Sequence, residues 1–589
     1  MGKLRTFRHE NGRGRQRGRT LREGDGLLGP LRAARYRTEQ SVPFAAIFER
    51  DPSTTRGEGD RLGSRLPGEA ELGFAPRLRP RNGRGAQLPR RPRARPTARL
   101  IRGAPAWLLT AALLLAGCMG GSRSLPELFQ TETGVIRLPA GEIEVLAELR
   151  LPDGAHDLEI VGDPAGTTLR VAAGFEGRAV IRMERASGVT LRGFRIDGNR
   201  AALARPAGLP PSDVAFIDFY SGNGIVAADS SSVTVRDVAF TGIAGFAVLA
   251  ARCQDVLVER VTVTNSGSRN ELGRNNTTGG ILLEEGCAGF TVRDSVFENI
   301  LGNGVWTHSM YASPRNRAGL IAGNRFREIA RDAIQAGHAT EVRVIGNRGE
   351  RIGYPEDAVD AEGGGTPVAI DTAGNVDRSV YSENHFEEIN GKCIDLDGFH
   401  HGEVTRNTCI NRGAPEDYAF GHYGIVMNNT NPDMESENIL IQDNTIDGAK
   451  FGGIFVIGRG HRIAGNRLMN LNTAGCNEAA SRFGCAHFPN EPDLLQSGIY
   501  LGQRAERPAV ADGNLVEGNT ISGHRMAERC IGWWVNVCRY SGGRRGAWGS
   551  PGLWPPAAPR SGPTTARMEA SSGGWQQRAN AGGLERARP

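Results

Sequence analysis

The chain has 589 residues, of which 39% are hydrophobic, and its formal net charge is +6. That charge is uneven, because residues 1–99 carry about +14 and residues 525–589 about +7, which leaves about −15 for the stretch between them. This distribution excludes a chain that is basic throughout, as nucleic-acid-binding proteins often are, and the hydrophobic content excludes one that is disordered throughout.

The first 99 residues contain 24 Lys or Arg against 10 Asp or Glu and show no hydrophobic period. A basic tail of this composition is typical of nucleic-acid binding. We instead interpret residues 1–99 as a disordered, Arg-rich extension from an over-extended gene start, because the next segment has the features of an N-terminus. We therefore predict no nucleic-acid partner.

Residues 100–118 have the pattern of a secretory signal peptide. Arg99 and Arg102 precede an apolar run over 104–115, and small residues lead to Cys118. The run is too short to span a membrane comfortably. The segment resembles the lipobox of bacterial lipoproteins, which implies that Cys118 is lipidated and that residues 119–129 form a tether. The resemblance also implies export to the cell envelope of a bacterium, with membrane contact through the lipid anchor alone.

Residues 130–524 repeat the nine-residue pattern apolar-x-x-Asn-x-apolar-x-x-apolar. Seven consecutive copies carry the Asn, and they place it at Asn324, Asn347, Asn384, Asn407, Asn444, Asn466 and Asn519. Four earlier copies keep the apolar frame alone, and they start at Leu191, Val235, Val258 and Val292. Successive copies start 22 to 53 residues apart, so the excess must lie in loops.

A repeat this short cannot bury its own core, whereas stacked coils can. We therefore predict an all-β fold, a single-stranded right-handed parallel β-helix of about 11 or more coils. The repeated Asn should adopt the left-handed backbone conformation and form a ladder of side-chain amides. The frame position two after the Asn should form one interior column, which contains Phe326, Phe386, Ile446 and Leu468.

The opening Gly134-Val-Ile-Arg-Leu-Pro-Ala-Gly141, followed by Leu158-Glu-Ile-Val-Gly162, resembles the first coils of secreted right-handed parallel β-helix proteins of the pectin-lyase-like superfamily. The resemblance covers about residues 130–524 and implies the fold. The superfamily includes pectate lyases, polygalacturonases, alginate lyases and epimerases, phage tailspikes and non-catalytic copper-delivery proteins, so the resemblance implies no single activity.

Each coil carries a further strand whose outward positions form two columns. The first column reads Trp306, Gln335, Asp371, Asp395, Val426, Phe455, Tyr500, and the second reads His308, Gly337, Ala373, Asp397, Asn428. Carboxylates at the centre and aromatic rings toward the ends suit a polysaccharide, because rings stack on sugar faces. We predict that substrate is bound by Trp306, His308, Gln335, Lys392, Asn428, Phe455 and Tyr500.

The central carboxylates are the predicted catalytic groups. Asp371, Asp395 and Asp397 are too close for all to ionise at neutral pH, so one should have a raised pKa and act as an acid. The cluster resembles the three-aspartate site of polygalacturonases, and Gly398-Phe-His400-His401-Gly402 is similar to their Gly-His-Gly, which implies that His401 orients the cluster. We predict hydrolysis of glycosidic bonds in an acidic polysaccharide, with Asp395 and Asp397 as the central pair.

Two other functions remain open. A polysaccharide lyase or C5-epimerase acting on uronates needs a base and a cation, which Lys392, Arg331 and His338 would suit. A non-catalytic surface or periplasmic binding protein would leave the aspartates merely solvated. We predict no cofactor, although Asp357, Asp360 and Glu362 in the loop 354–365 are weaker candidates for binding calcium.

The remaining predictions concern the cysteines and the C-terminus. In an oxidising compartment, Cys476 and Cys485 are the best candidates for a disulfide because they close a short loop. Cys253 and Cys287 share a frame position in successive coils, so they should stack or bond. Residues 525–589 contain ten Arg and five Trp and lack the repeat, which predicts a disordered tail. We expect a monomer.

Overall fold

The computed structural model describes residues 124–203, 206, 208–360, 365–427, 436–475, 498–502, 511–523 and, for the backbone, 531–533. Three parallel sheets of 13, 13 and 15 strands run along this part of the chain. Each strand pairs with the equivalent strands of the coils before and after it, so the backbone hydrogen bonds join coil to coil. This topology confirms the predicted parallel β-helix.

Sheet 1 comprises Gly134–Arg137, His156–Val161, Ser187–Arg192, Ser231–Arg236, Gln254–Glu259, Thr291–Arg293, Leu320–Ala322, Arg343–Ile345, Val380–Ser382, Glu403–Thr405, Leu440–Gln442, Arg462–Ala464 and Leu515–Glu517. Sheet 2 comprises Gly141–Val145, Thr167–Val171, Arg195–Asp197, Ala239–Thr241, Thr262–Ser266, Val296–Ile300, Arg325–Ile329, Arg348–Ile352, His385–Ile389, Thr408–Ile410, Thr445–Asp447, Arg467–Met469 and Thr520–Ser522. The repeat frame therefore contains two strands, one on each side of the Asn.

Sheet 3 is formed by the further strand of each coil. It comprises Leu149–Arg150, Ala179–Glu184, Asn223–Ala228, Phe246–Ala251, Gly279–Glu284, Val305–His308, Ile334–Thr340, Val368–Asp377, Lys392–Asp395, Ile425–Val426, Ile454–Val456, Ile499–Leu501 and Ile531–Trp533, with Asn316–Arg317 and Phe399–His400 paired at its side. The strand Ile531–Trp533 lies within the predicted disordered tail, so the β-helix extends further than the repeat frame indicated.

The helices are short and lie outside the coils. The α-helices are Leu125–Leu128, Arg200–Leu203 and Phe216–Phe219, and the 3-10 helices are Glu356–Ala358 and Pro415–Asp417. Leu125 and Leu128 pack against the core and Phe129 is fully buried, so residues 124–129 form part of the fold where a tether was predicted. Within the described ranges, no helix is long and apolar enough to cross a membrane.

The repeated Asn residues form the predicted ladder in the turn between sheets 1 and 2. Each Nδ2 donates to the Oδ1 of the next Asn at 2.8–3.0 Å, from Asn324 through to Asn519. The prediction of a left-handed Asn is wrong by one position, because the residue before it takes that conformation, for example Gly323 at φ +66° and Arg406 at φ +56°. The turn thus leaves the Asn amide pointing into the stack.

The interior column is also confirmed. Sheet 2 pairs Phe326, Gly349, Phe386, Cys409, Ile446, Leu468 and Ile521 in successive coils. Phe386 is 1% exposed, and a Cβ added to Gly349 would lie only 2.5 Å from its ring. Large and small residues therefore alternate to fill the interior.

The structure joins a cysteine pair that the sequence analysis did not select. Cys393 and Cys409 form a disulfide with a Cα–Cα distance of 6.2 Å, linking sheet 3 to sheet 2. Cys253 and Cys287 stack without bonding, and the backbone N–H of Cys253 donates to the Sγ of Cys287 at 3.3 Å. The predicted partners Cys476 and Cys485 lie outside the described residues, as does Cys118.

Candidate functional site

The outer face of sheet 3 carries the predicted first column in the predicted register. Successive coils pair Trp306, Gln335 and Asp371, the pairing of Ile370 with Ile394 brings Asp395 beside Asp371, and the column then continues through Val426, Phe455 and Tyr500. The alignment of one inward aliphatic residue per coil was therefore sufficient to align these outward side chains.

Their exposure differs from the prediction. Trp306 is 5% exposed and Phe216 packs edge-on against its ring at 4.9 Å, while Phe455 and Tyr500 are fully buried. These three rings present no open face to a sugar, so the structure does not support their predicted role as stacking platforms. Strand alternation decides on which side of a sheet a residue lies, but the long connections between coils decide whether that side is covered.

The polar centre of the column is a buried hydrogen-bonded cluster. Asn303 Nδ2 donates to Gln335 Oε1 at 2.8 Å, and Gln335 Nε2 donates to Asp371 Oδ2 at 2.5 Å. In the next coil, the Lys392 ammonium forms an ion pair with Asp395 Oδ2. Asp395 Oδ1 is buried and accepts no hydrogen bond within the described part of the chain. Among the described residues, one carboxylate oxygen is thus held in place without a hydrogen-bond partner.

A third buried carboxylate, Asp332, belongs to this cluster and was missed by the sequence analysis. Its Oδ1 accepts the backbone N–H of Val368 at 3.0 Å, and Arg331 Nε lies 3.5 Å from its Oδ2. A signal was available, because Asp332 stands two residues before an inward aliphatic residue, as Lys392 does two coils later.

Burial and like charge set the protonation of the cluster. Burial raises the pKa of Asp371 well above its ordinary value, and Asp332 and Asp395 raise it further. Burial likewise raises the pKa of Asp332, to about 7. Burial alone would lower the pKa of Lys392, but Asp395 and Asp397 hold it above its ordinary value. The arrangement therefore favours the protonated form of Asp371 beside the Lys392–Asp395 ion pair.

Two further predicted catalytic residues, His401 and Asp397, differ in their relation to this cluster. His401 faces Glu437 and Asn438 of the next coil, with Nε2 3.4 Å from Glu437 Oε1, so the structure does not bring it to the cluster as an orienting group. Asp397 is half-buried and close enough to act on Lys392. Asn428 lies outside the described residues.

Among the described residues, Asp357 and Asp360 do not form a metal site with a third ligand. Asp357 is exposed, whereas Asp360 is buried and accepts a hydrogen bond from Asn270 Nδ2 at 2.5 Å. Glu362 is not among the described residues. Across the described ranges, the one set of three or more His, Cys, Asp or Glu ligand atoms lying within 4.8 Å of one another belongs to Glu284, Glu285 and His308.

A sequence model of the family described as "Right handed beta helix region" matches residues 175–316 and 313–468. This chain is a right-handed parallel β-helix protein. Comparison with curated proteins gives no match.

Several solved structures are similar to this β-helix protein. The surface adhesin PfbA of Streptococcus pneumoniae is 14% identical with a TM-score of 0.40, over 62% of this chain and 86% of that one. The catalytic unit of a GH87 alpha-1,3-glucanase from Streptomyces thermodiastaticus is 12% identical with a TM-score of 0.42, over 65% and 63%. DFA-IIIase from Arthrobacter chlorophenolicus is 15% identical with a TM-score of 0.36, over 63% and 92%. Likeness of this degree carries no conclusion about activity.

Proposed function

We propose that this β-helix protein binds a polysaccharide and hydrolyses its glycosidic bonds at the buried cluster of Asp371, Asp395 and Lys392. The observation that carries the proposal is the pairing of unlike carboxyl groups in adjacent coils. The raised pKa of Asp371 favours its protonated form, whereas Asp395 is ion-paired with Lys392. Glycosidic hydrolysis needs one carboxyl group as acid and a second as base or nucleophile.

In this mechanism, Asp371 protonates the oxygen of the leaving sugar, and Gln335 keeps its carboxyl group oriented. Asp395 uses its unpartnered Oδ1 either to activate water or to attack the sugar carbon. Lys392 holds the other oxygen of Asp395 in an ion pair. This assignment moves the acid from the predicted Asp395–Asp397 pair to Asp371, because burial and the neighbouring carboxylates raise the pKa of Asp371.

The cluster is mostly buried, so a substrate must reach it through its more exposed residues. Asp371 and Lys392 are 9% and 8% exposed, against 2% for Asp332, so substrate would approach from the side of the first two. A polymer can reach Asp395 only if part of the covering chain moves. The same burial favours a second candidate function, a non-catalytic binding protein in which the cluster only holds adjacent coils together.

A lyase or epimerase is less well supported. The raised pKa of Lys392 keeps its ammonium group protonated, so it cannot remove the C5 proton of a uronate. Burial lowers the pKa of His338 to about 4, which leaves this histidine as the neutral base for that alternative. The acidic character of the substrate also stays a prediction, because Lys392 and Arg331 already lie beside carboxylates.

The test is a screen of the purified protein against pectins, alginates, glycosaminoglycans and neutral glucans, followed by variants on the substrate that is cleaved. Asp371→Asn and Asp395→Asn should each lower the rate by about 10²–10⁴-fold while binding persists. Asp377→Asn is the matched control. Asp377 lies in the same strand as Asp371 and is also buried, but its carboxylate is paired with Arg315. Full activity in the Asp371→Asn, Asp395→Asn double variant would exclude the mechanism. Products that absorb in the ultraviolet would indicate a lyase.

We further propose that the protein is exported and anchored to the cell envelope by lipid at Cys118. The Cys393–Cys409 disulfide supports an oxidising compartment, because disulfides rarely persist in a reducing cytosol. Mass spectrometry of the membrane fraction should find a mature N-terminus at Cys118 with attached acyl chains. A soluble product that begins upstream of Arg99 would contradict both the anchor and the proposed start.

A further inference from the structure

A second cluster of ligand-type side chains lies toward the N-terminal side of Asp371, on the same outer face of sheet 3. Glu284 ends the strand Gly279–Glu284, and His308 is its direct neighbour in the next coil. Glu285 follows with φ +57°, a left-handed conformation that interrupts the alternation of the strand. The ligand atoms of the three side chains therefore lie within 4.8 Å of one another, although two of the residues are consecutive.

The two carboxyl groups of this cluster are buried without an ion-pair partner among the described side chains. Glu284 and Glu285 are 0% and 5% exposed, and no described Lys or Arg lies within ion-pair distance of either. Backbone N–H groups of Phe216 and Ile217 donate to Glu284 at 3.0 and 2.7 Å, and that of Met310 donates to Glu285 at 2.7 Å. Hydrogen bonds of this kind offset only part of the cost of burying two adjacent carboxyl groups.

The histidine of the cluster has a buried ring nitrogen without a partner. His308 stacks on Phe216 at 4.4 Å between ring centroids and lies 5.2 Å from Trp306, so apolar rings surround it. Its Nδ1 is buried and forms no hydrogen bond within the described part of the chain. A buried nitrogen that is left unsatisfied is rare in folded proteins and requires an explanation.

We infer that Glu284, Glu285 and His308 form a binding site for a divalent transition-metal ion such as Zn²⁺ or Mn²⁺. Ligand atoms within 4.8 Å of one another can converge on one ion with bonds of about 2.0–2.3 Å after small adjustments. A mixed set of carboxylate oxygen and imidazole nitrogen favours such ions, whereas Ca²⁺ prefers six to eight oxygen ligands. The ion would give the two carboxyl groups the cationic partner that they do not have among the described side chains.

The position of the site suggests what the ion would stabilise. Glu284 already holds the backbone of Phe216 and Ile217, and these residues cover Trp306 and the apolar outer face of sheet 3. An ion bound to the same carboxylate would fix that cover against the coils beneath it. The site does not contain Asp371, Asp395 or Lys392, so the inference does not depend on the proposed hydrolysis.

The test compares metal binding by the full chain and three variants after removal of bound metal with a chelator. In equilibrium dialysis with Zn²⁺ and with Mn²⁺, Glu285→Gln and His308→Gln should each bind one tightly held ion fewer than the parent protein. The affinity at the lost site should fall by at least about 100-fold. Comparison with the unmutated chain removes the contribution of other His and Cys residues. Glu341→Gln is the matched control, because Glu341 also follows a sheet 3 strand, with φ +56°, but pairs with Arg378.

A second measurement separates binding from misfolding. The metal-free variants should unfold at the temperature of the metal-free parent protein within a few degrees, and saturating Zn²⁺ or Mn²⁺ should raise the melting temperature of the parent but not of the two variants. Equal stoichiometry and affinity in the parent, Glu285→Gln and His308→Gln would overturn the inference. Tight binding of Ca²⁺ alone at this site would overturn the assignment to a transition-metal ion.

Discussion

The turn between sheets 1 and 2 and the outer face of sheet 3 are both built from columns of residues in register, yet they behave differently. In the turn, seven Asn side chains occupy equivalent positions, and each donates to the next at 2.8–3.0 Å. On the outer face, the column changes from Trp306 through Asp371 to Tyr500. In the turn, the stacking of coils alone determines which residue type fits each position. On the outer face, the connections between coils also determine which side chains are buried.

The contrast concerns how polar groups are satisfied. A buried Asn has both a donor and an acceptor, so identical residues can satisfy one another along a stack. A buried carboxylate can only accept when ionised, so a stack of aspartates needs protons, amides or cations between its members. The cluster contains all three, because Gln335 donates to Asp371, Lys392 pairs with Asp395 and Asp332 has a raised pKa. In this cluster, groups that can exchange protons are therefore concentrated on the outer face.

The largest effect on stability should come from breaking the ion pair of the outer column. Lys392→Met leaves Asp395 buried without its cation and should lower the free energy of unfolding by about 3–5 kcal/mol in urea denaturation at neutral pH. The double variant Lys392→Met, Asp395→Asn should recover most of that loss, since it removes the uncompensated charge. A double variant as unstable as the single one would show that packing of the Lys392 stem, and not the charge, stabilises the coil.

A change of similar size, about 3–5 kcal/mol, is expected from Phe386→Ala in the interior, and its cause is the cavity that the ring leaves. Chemical denaturation measures it, with Val296→Ala as control, because Val296 lies in the same sheet with 36% exposure and should change stability by less than about 0.5 kcal/mol. The loss should be independent of pH, since no titratable group is involved. A pH-dependent loss would link the interior to the outer cluster.

The smallest of the three effects is a pH dependence from Asp332. Its pKa is raised from 3.8 in the unfolded chain to about 7 in the folded protein, so folding takes up a proton between about pH 4 and pH 7. The contribution to stability is full below pH 4 and is lost as the pH rises through 7, by roughly 2–4 kcal/mol. Asp332→Asn should abolish this decline when unfolding is measured across that range. An unchanged decline in the variant would assign it to another group, with Asp371 the first alternative.

The interior and the register of sheet 3 were predictable from the sequence. The Asn frame and the column of Phe326, Phe386, Ile446 and Leu468 follow from a period that only stacked coils can bury, and the proximity of Asp371 to Asp395 follows from the same alignment. The left-handed turn residue was misplaced by one position, because Asn often adopts that conformation, whereas the position before it varies among Gly, Glu, Arg and Asp. The short-range sequence pattern therefore predicted the repeat, but it did not predict the backbone conformation of every turn residue.

Tertiary structure decided what the repeat does not encode. The burial of Trp306 depends on a segment distant in sequence, because the helix Phe216–Phe219 packs over its ring. Tertiary structure likewise decided that His401 turns toward Glu437 and that Cys393 pairs with Cys409. Periodicity specifies which residues stack along the helix, because backbone pairing enforces it. Contacts across a coil and beneath its loops depend on the connections between strands. The lengths of these connections differ from coil to coil, so only the folded structure defines the contacts.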